Sequence, residues 1–244
     1  MEVIRSVNNM KVKTWCKYHE KKYRDKDQKF LIENEHLIQE ALQANLIINL
    51  ILLENEPIQF DYDGEITYVS QEVMKKLKMN QSLPSCMAVV KMPSLQLQLG
   101  DKLILCDNIQ DPGNVGTMIR SAYSFGFDTF VVSNNSVDIF NDKVIRSTQG
   151  ALFHMNVLRC DLKELILRLK KENYAIYATA LHDAKELSKF DSPKKVALIF
   201  GNEGSGVSNE ILDMSDERIF IEMNRFESLN VAIACGICCY WFKK

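Results

Sequence analysis

The segment Asp107-Asn-Ile-Gln-Asp-Pro-Gly-Asn-Val-Gly-Thr-Met-Ile-Arg120 joins a short apolar run, Leu103 to Cys106, to a stretch with helical patterning. Loops rich in glycine, proline and asparagine at the carboxyl end of a strand are where open α/β sheets bind ligands, because their backbone N–H groups and short polar side chains are not used by the sheet. A second such turn is Phe200-Gly-Asn-Glu-Gly-Ser-Gly-Val-Ser208. Gly201 and Gly206 have the separation of a phosphate-binding loop, but Val207 stands in the place of the phosphate-binding lysine, which argues against a nucleotide triphosphatase. Gly201, Gly204 and Gly206 are also in the wrong order for a dinucleotide fingerprint and follow a late strand, so hydride chemistry loses its main support. A third polar segment, Met223 to Asn230, precedes the last apolar stretch of the chain.

The elements that must position these loops follow from hydrophobic patterning. Strands are expected at 103–106, 129–133, 174–179, 196–200 and 218–221, separated mostly by helical patterns, which implies a parallel sheet with helices on both faces. All three loops then lie at strand carboxyl ends and converge on one rim. Asn114 is placed to start the helix carrying Arg120, and Gly126 to end it. Upstream, Ser82-Leu-Pro-Ser85 and Met92-Pro-Ser94 mark a boundary near residue 94. Before it, a basic helix at about 9–23, a strand at Phe30–Ile32, a helix from His36 to Ala44 and an apolar run from Leu46 to Leu53 are expected. Thr67–Val69, a helix from Gln71 and a strand from Met87 to Val90 complete a compact α/β module.

Composition narrows the class. The 244 residues are 46% hydrophobic, ample for a core, and contain no apolar run of the roughly 18 residues that a membrane span needs. The start Met1-Glu-Val-Ile-Arg-Ser has no apolar signal core, so a cytoplasmic location is the expectation. Seven scattered cysteines do not suggest a disulfide framework, and Cys235-Gly-Ile-Cys238-Cys239 lacks a second pair at metal-site spacing, so these thiols read as small buried helix residues. The four histidines do not cluster and no metal is expected.

The net charge of −2 hides an asymmetry: residues 1–30 hold nine lysines and arginines against four carboxylates. Lys11, Lys13, Lys17, Lys21 and Lys22 of this cluster suit phosphates, with a plain solvated helix face as the alternative. Arg146, near Lys143, is a second candidate for phosphates, or else for a surface ion pair.

Taken together, the segments resemble the SpoU (TrmH-like) family of RNA 2′-O-ribose methyltransferases, part of the SPOUT superfamily. Asp111 to Ala122 is similar to the first family motif, Ile199 to Val207 to the second, and Ser228 to Gly236 to the third, while Lys143 to Phe153 matches a segment between them. Phe30 to Leu42 resembles the L30e-like substrate-binding module found ahead of many such enzymes. Two departures stand out: Asn34 takes the place of a frequent glycine, and Ile221 to Ser228 lacks the usual proline and glycine and is one residue shorter.

The resemblance implies an α/β protein with an L30e-like RNA substrate-binding domain at 1–94 and a parallel-sheet SPOUT methyltransferase domain at 95–244. The second is expected to form a deep trefoil knot, to hold S-adenosylmethionine in the knotted cleft, and to complete its sites as a homodimer. Periodicity alone would favour an ordinary doubly wound sheet. Gly201, Ile221, Met223 and Leu229 are implied for the cofactor, and Arg120, Asn114, Glu203, Ser228 and Asn230 for catalysis. Arg120 either takes the ribose hydroxyl proton or stabilises the developing alkoxide. The second role is easier to defend, because a guanidinium is a poor base. Helix capping is the competing explanation for Asn114, Ser228 and Asn230, and an exposed loop carboxylate for Glu203. Ribosomal RNA is the favoured substrate, with transfer RNA, or a non-catalytic RNA-binding or ribosome-assembly role, as alternatives.

Overall fold

The computed structural model describes residues 3–93, 98–225 and 228–243 and divides the chain into two compact units. The first comprises residues 1–94 together with Phe140–Phe153, and the second the remainder. The expected boundary near 94 falls on residues outside the described ones. Phe140–Phe153, expected as part of an unbroken 95–244, clusters with the first unit because Phe30, fully buried, packs its ring on Phe140 and Phe153 with centroids 5.2 and 6.3 Å away.

In the first unit, β1 (Val3–Ile4), β2 (Lys29–Glu33), β3 (Ile47–Leu53), β4 (Glu65–Val69) and β5 (Cys86–Lys91) form a mixed sheet in the order β1-β4-β3-β5-β2. The two-residue β1 carries too little pattern to be read from sequence. The basic helix is not continuous: α1 (Met10–Lys17) and α2 (Lys21–Asp27) are separated by a corner. Arg24, 7% exposed, explains the break, since its guanidinium donates to the carbonyl oxygens of Tyr18 and His19 at 2.8 and 2.9 Å, oxygens that a continuous helix would use itself. Val12 and Trp15 of α1 pack with Val73, Met74 and Leu77 of α4 (Gln71–Leu77) on the sheet residues Leu31, Ile51 and Val89. On this sheet lies α3 (Glu35–Gln43), whose cap is Asn34 at φ 103°. That positive φ explains why glycine suits this position, and asparagine, with a side chain that accepts from His36 N–H, tolerates it.

The second unit is built on a fully parallel sheet. Its strands are β6 (Lys102–Asp107), β7 (Thr129–Ser133), β8 (Asn156–Cys160), β9 (Ala175–Thr179), β10 (Lys185–Glu186), β11 (Val196–Gly201) and β12 (Glu217–Phe220), in the order β10-β12-β9-β11-β6-β7-β8. Strand β8 escaped the sequence reading because it is a sheet edge: Val157 to Cys160 are only half-buried and their apolar pattern is broken by Arg159, whose guanidinium binds the carbonyls of Ser133, Asn134, Ser136 and Val137. The connections run through α5 (Pro112–Ser124), α7 (Leu162–Lys171) and α8 (Asn209–Met214), with α9 (Val231–Phe242) last. In the first unit, α6 is Asp142–Thr148.

Chain order leaves β6 toward β7 on one side and reaches β11 on the other, so the β6/β11 pair is the switch point of this sheet. Ligands bind at the carboxyl ends there. Gly201 pairs in register with Asp107, so the first and second glycine-rich loops start side by side.

Candidate functional site

The helix bearing Arg120 starts earlier than its sequence suggests. Asp111, not Asn114, is the cap: its carboxylate accepts from the Asn114 N–H at 2.8 Å, with Pro112 and Gly113 completing the first turn. This corrects the capping explanation for Asn114 and leaves its side chain available. The Asn114 amide nitrogen donates to Glu203 Oε1 at 2.9 Å, and its oxygen accepts from Asn230 Nδ2 at 3.0 Å. Asn230 in turn caps α9, accepting from the N–H groups of Ala232 and Ile233 at 2.9 and 3.3 Å. The three motif segments are thus tied by one chain of side chains.

The direction of this chain is set at Glu203. An ionised carboxylate only accepts, so Asn114 must present its NH2 to it and its carbonyl to Asn230, whose own carbonyl is then turned to the helix. Glu203 also accepts from the backbone N–H groups of Asp111 and Gln110 at 3.2 and 3.4 Å. Burial alone pushes the Glu203 carboxyl up, but the hydrogen bonds from Asn114 and from the N–H groups of Glu203 itself, Asp111 and Gln110 outweigh it and hold it below the usual carboxylate range.

The second loop closes on itself. Asn202 pairs with Gly206 across it, its Oδ1 accepts from Gly204 and Ser205 N–H, and its Nδ2 donates to the Asn108 carbonyl at 2.9 Å. A Cβ on Gly201 would sit 2.0 Å from Gly206 C and Val207 N, so the close approach that demands glycine is made by the loop's own backbone. Asn108, Asn202 and Asp107, whose carboxylate accepts from Ser208 N–H at 2.9 Å, are structural site residues that the sequence reading passed over. Their only sequence signal was asparagine and aspartate at strand ends. Asn108 takes a positive φ of 57°.

Ile221 and Met223 lie beyond β12, in no strand or helix, and are half-buried; Leu229 is 38% exposed. Ile221, expected inside the last strand, is thus outside it. Ser228 is exposed and precedes the cap of α9 by two residues, so it does not begin that helix. Phe226 and Glu227, in the segment that departs from the family, lie outside the described residues. The chain leaving β9 at Thr179 to Leu181, flanked by β11 and β12, is a further rim segment that sequence reasoning missed, because no glycine or charge marks it.

Arg120 is not brought to Glu203. It lies six residues beyond Asn114 on α5, about 240° around the helix, on an exposed stripe with Thr117 and Tyr123. Among the described residues its side chain has no hydrogen bond or ion pair. Beside it, α9 packs along α5 and exposes Ile233, Ile237, Tyr240 and Trp241, while Cys235, Cys238 and Cys239 face inward, fully buried. Burial raises the Cys106 and Cys235 thiols well above the usual range, as expected of packing residues rather than nucleophiles.

In the first unit, Lys11, Lys13, Lys17, Lys21 and Lys22 are all exposed. Lys11 reaches Glu65, Lys21 reaches Asp25 and Lys22 reaches Glu20, all in solvent-exposed pairs of the kind that hold little energy. Arg146 is more committed: it donates to Asn80 Oδ1 and pairs with Asp142 at 3.2 Å. The ion-pair alternative raised from sequence is therefore what this conformation contains.

Both units of the chain match known families. Residues 101–240 match the SpoU rRNA Methylase family and residues 9–87 an MRM3-like substrate binding domain. The chain belongs to the SpoU rRNA methylase family. It is 38% identical to the 23S rRNA (guanosine(2553)-2′-O)-methyltransferase RlmP of Bacillus subtilis, over 98% of both chains. It is also 28% identical to the 23S rRNA (uridine(2479)-2′-O)-methyltransferase of Streptomyces viridochromogenes, covering 72% of this chain and 66% of that protein. A crystal structure of the AdoMet-bound rRNA methyltransferase from Sinorhizobium meliloti superposes with a TM-score of 0.86 at 25% identity, covering 98% of this chain and 96% of that one.

Proposed function

We propose that this protein is an S-adenosylmethionine-dependent RNA 2′-O-ribose methyltransferase acting on ribosomal RNA of the large subunit. The carrying observation is the Glu203–Asn114–Asn230 chain, which ties the loops after β6 and β11 and the start of α9 at one sheet rim. Relatives named as 23S rRNA 2′-O-methyltransferases support the substrate.

The residues present suit the cofactor. Ile221, Met223 and Leu229 supply half-buried or partly exposed apolar surface for an adenine, and the main chain at 221–223, outside any strand, offers amide and carbonyl groups for its edge. When bound, the cofactor supplies a methyl group activated by a sulfonium. Arg120 orients the ribose hydroxyl and stabilises the negative charge that develops on its oxygen as the proton passes to solvent water, a guanidinium being too weak a base for a first choice as acceptor. Asn230 holds the start of α9, Ser228 in the segment before it supports the reacting groups or the cofactor, and Glu203 fixes Asn114 between the other two motifs.

Because Arg120 lies on a different face of α5 from Asn114, one protomer's Arg120 serves a site completed by a second copy. The exposed apolar face of α9 beside it supports a homodimer. The threading of the last segments into a trefoil knot and a cytoplasmic location belong to the same reading. No helix among the described residues is long and apolar enough to cross a membrane.

Residues 1–94 bind RNA, using Lys11, Lys13, Lys17, Lys21 and Lys22, with Arg146 contributing when released from Asp142. Ribose-methylation mapping of total RNA from cells with and without the gene tests the reading. Loss of a single 2′-O-methyl in large-subunit ribosomal RNA is expected. A lost methyl in transfer RNA would move the substrate, and an unchanged map would favour a non-catalytic assembly role.

A further inference from the structure

The first unit contains a cavity of 200 Å³ at the corner where α1 gives way to α2, covered by the start of α6. Tyr18 and His19 form one wall, Lys78 another, and Phe140, Asn141 and Asp142 a third. The corner is fixed by the buried Arg24 guanidinium on the Tyr18 and His19 carbonyls, and Phe140 is held in place by the Phe30 ring. These supports make the cavity part of the fold and not a gap between loose side chains.

Its charges are unequal. Asp142 is matched by Arg146 and the buried Glu33 carboxylate by the Met79 N–H and the Asn80 amide, whereas half-buried Lys78 donates its ammonium to the Gln81 carbonyl, a neutral acceptor, and has no ion pair among the described residues. Such a cation at a cavity edge favours an anionic ligand. Outside, Lys17, Lys21 and Lys22 are exposed on either side of Tyr18 and His19 in the chain, a rail for a phosphate backbone.

Size and lining narrow the ligand further. Its 200 Å³ lies below the roughly 300 Å³ of pockets for larger ligands, so it suits one base and not a whole cofactor. Asn141 Oδ1 is used by the Lys143 N–H, which leaves its NH2 as a donor, and Asp142 supplies acceptors. Donors and acceptors beside the Tyr18 and Phe140 rings are what an unstacked base requires.

We infer that this cavity receives the base of one unpaired nucleotide of the RNA substrate, other than the methylated one, against Tyr18 and Phe140, with that nucleotide's phosphate at Lys78 on the edge. The inference rests on the RNA methyltransferase reading and adds a second anchoring point to it.

Lys78→Gln should raise KM for a protein-free 23S rRNA transcript at least five-fold with kcat and S-adenosylmethionine affinity little changed, and Lys78→Arg should restore most of the loss. In the unaltered protein, the His19 ring signals, read by NMR against those of the other three histidines, should move on adding a short single-stranded RNA. The four nucleoside monophosphates should move them only at higher concentration. Unchanged KM in Lys78→Gln with an unmoved His19 would overturn the inference. A response to mononucleotides and none to RNA would overturn RNA as the source. If the unaltered protein transfers no methyl group, the His19 response still reports on the cavity, so failure of the enzyme reading is distinguishable from failure of this one.

Discussion

The Asn114 amide nitrogen lies 2.9 Å from Glu203 Oε1, and that one contact decides which way two asparagines face. Glu203 can only accept, so the Asn114 carbonyl is committed to Asn230, and the Asn230 carbonyl to the first N–H groups of α9. Glu203→Gln introduces an NH2 that competes with Asn114 and with the N–H groups of Gln110 and Asp111. It should lower single-turnover methyl transfer by about tenfold or more while circular dichroism remains native. Transfer at the unaltered rate would remove the chain of amides from the mechanism.

The same carboxylate predicts a pH effect with a defined sign. Its folded pKa is depressed below the unfolded value, so its contribution to stability is present above the ordinary carboxylate range and fades as pH falls through the folded pKa. Part of the acid destabilisation of the unaltered protein should therefore be absent in Glu203→Gln. Thermal melts from neutral pH into the acid range, run on both proteins, measure the difference.

Arg120→Ala should abolish methyl transfer with folding and S-adenosylmethionine binding nearly intact, because the side chain is exposed and bonded to nothing among the described residues. Arg120→Lys should be severely impaired as well: a lysine keeps the charge but loses the planar fork that holds a ribose oxygen and a phosphate together. Labelled-methyl transfer to the mapped RNA, with cofactor affinity determined by calorimetry, separates the two effects. Near-normal turnover in the alanine variant would take Arg120 out of the mechanism.

On α9, Ile233 is 56% exposed and Tyr240 57%, on a helix that otherwise has few polar side chains. Placing a charge at Ile233 with Ile233→Asp should convert a dimer to monomer in multi-angle light scattering and abolish activity with it. A variant that stays dimeric would locate the interface elsewhere.

Gly201→Ala tests the second loop. The added Cβ would meet backbone atoms at 2.0 Å, with no flexible side chain to yield, so a cost of about 3 kcal/mol and a fall in Tm of roughly 6–12 °C is expected. A native melting temperature would show that the loop opens freely.

For the basic α1–α2 surface, replacing Lys11, Lys13, Lys17, Lys21 and Lys22 by Gln should weaken RNA binding and flatten its salt dependence, since each phosphate contact contributes about 0.7 to the slope for single strands. Filter binding at low and high salt gives both quantities. Unchanged affinity at both would make these lysines a solvated surface.

Much of this protein is written in its local sequence. Apolar runs such as Leu103–Cys106 and Val196–Phe200 fix strands because each is buried on both faces, and the glycine-rich segments after them fix the loops. The types of Asn114, Glu203, Asn230 and Arg120 were visible because they lie within recognisable motifs. Their partners were not. Whether Asn114 caps a helix or faces Glu203, 89 residues away, depends on β6 and β11 pairing in register, a long-range fact that no local pattern carries. The break between α1 and α2 depends in the same way on a buried arginine that claims the carbonyls of Tyr18 and His19, and the place of Phe140–Phe153 depends on the ring of Phe30. Sequence determines what each segment is able to do, through side-chain type and backbone propensity. The choice among those abilities falls to whichever tertiary contact satisfies the most buried polar groups and apolar surface at once.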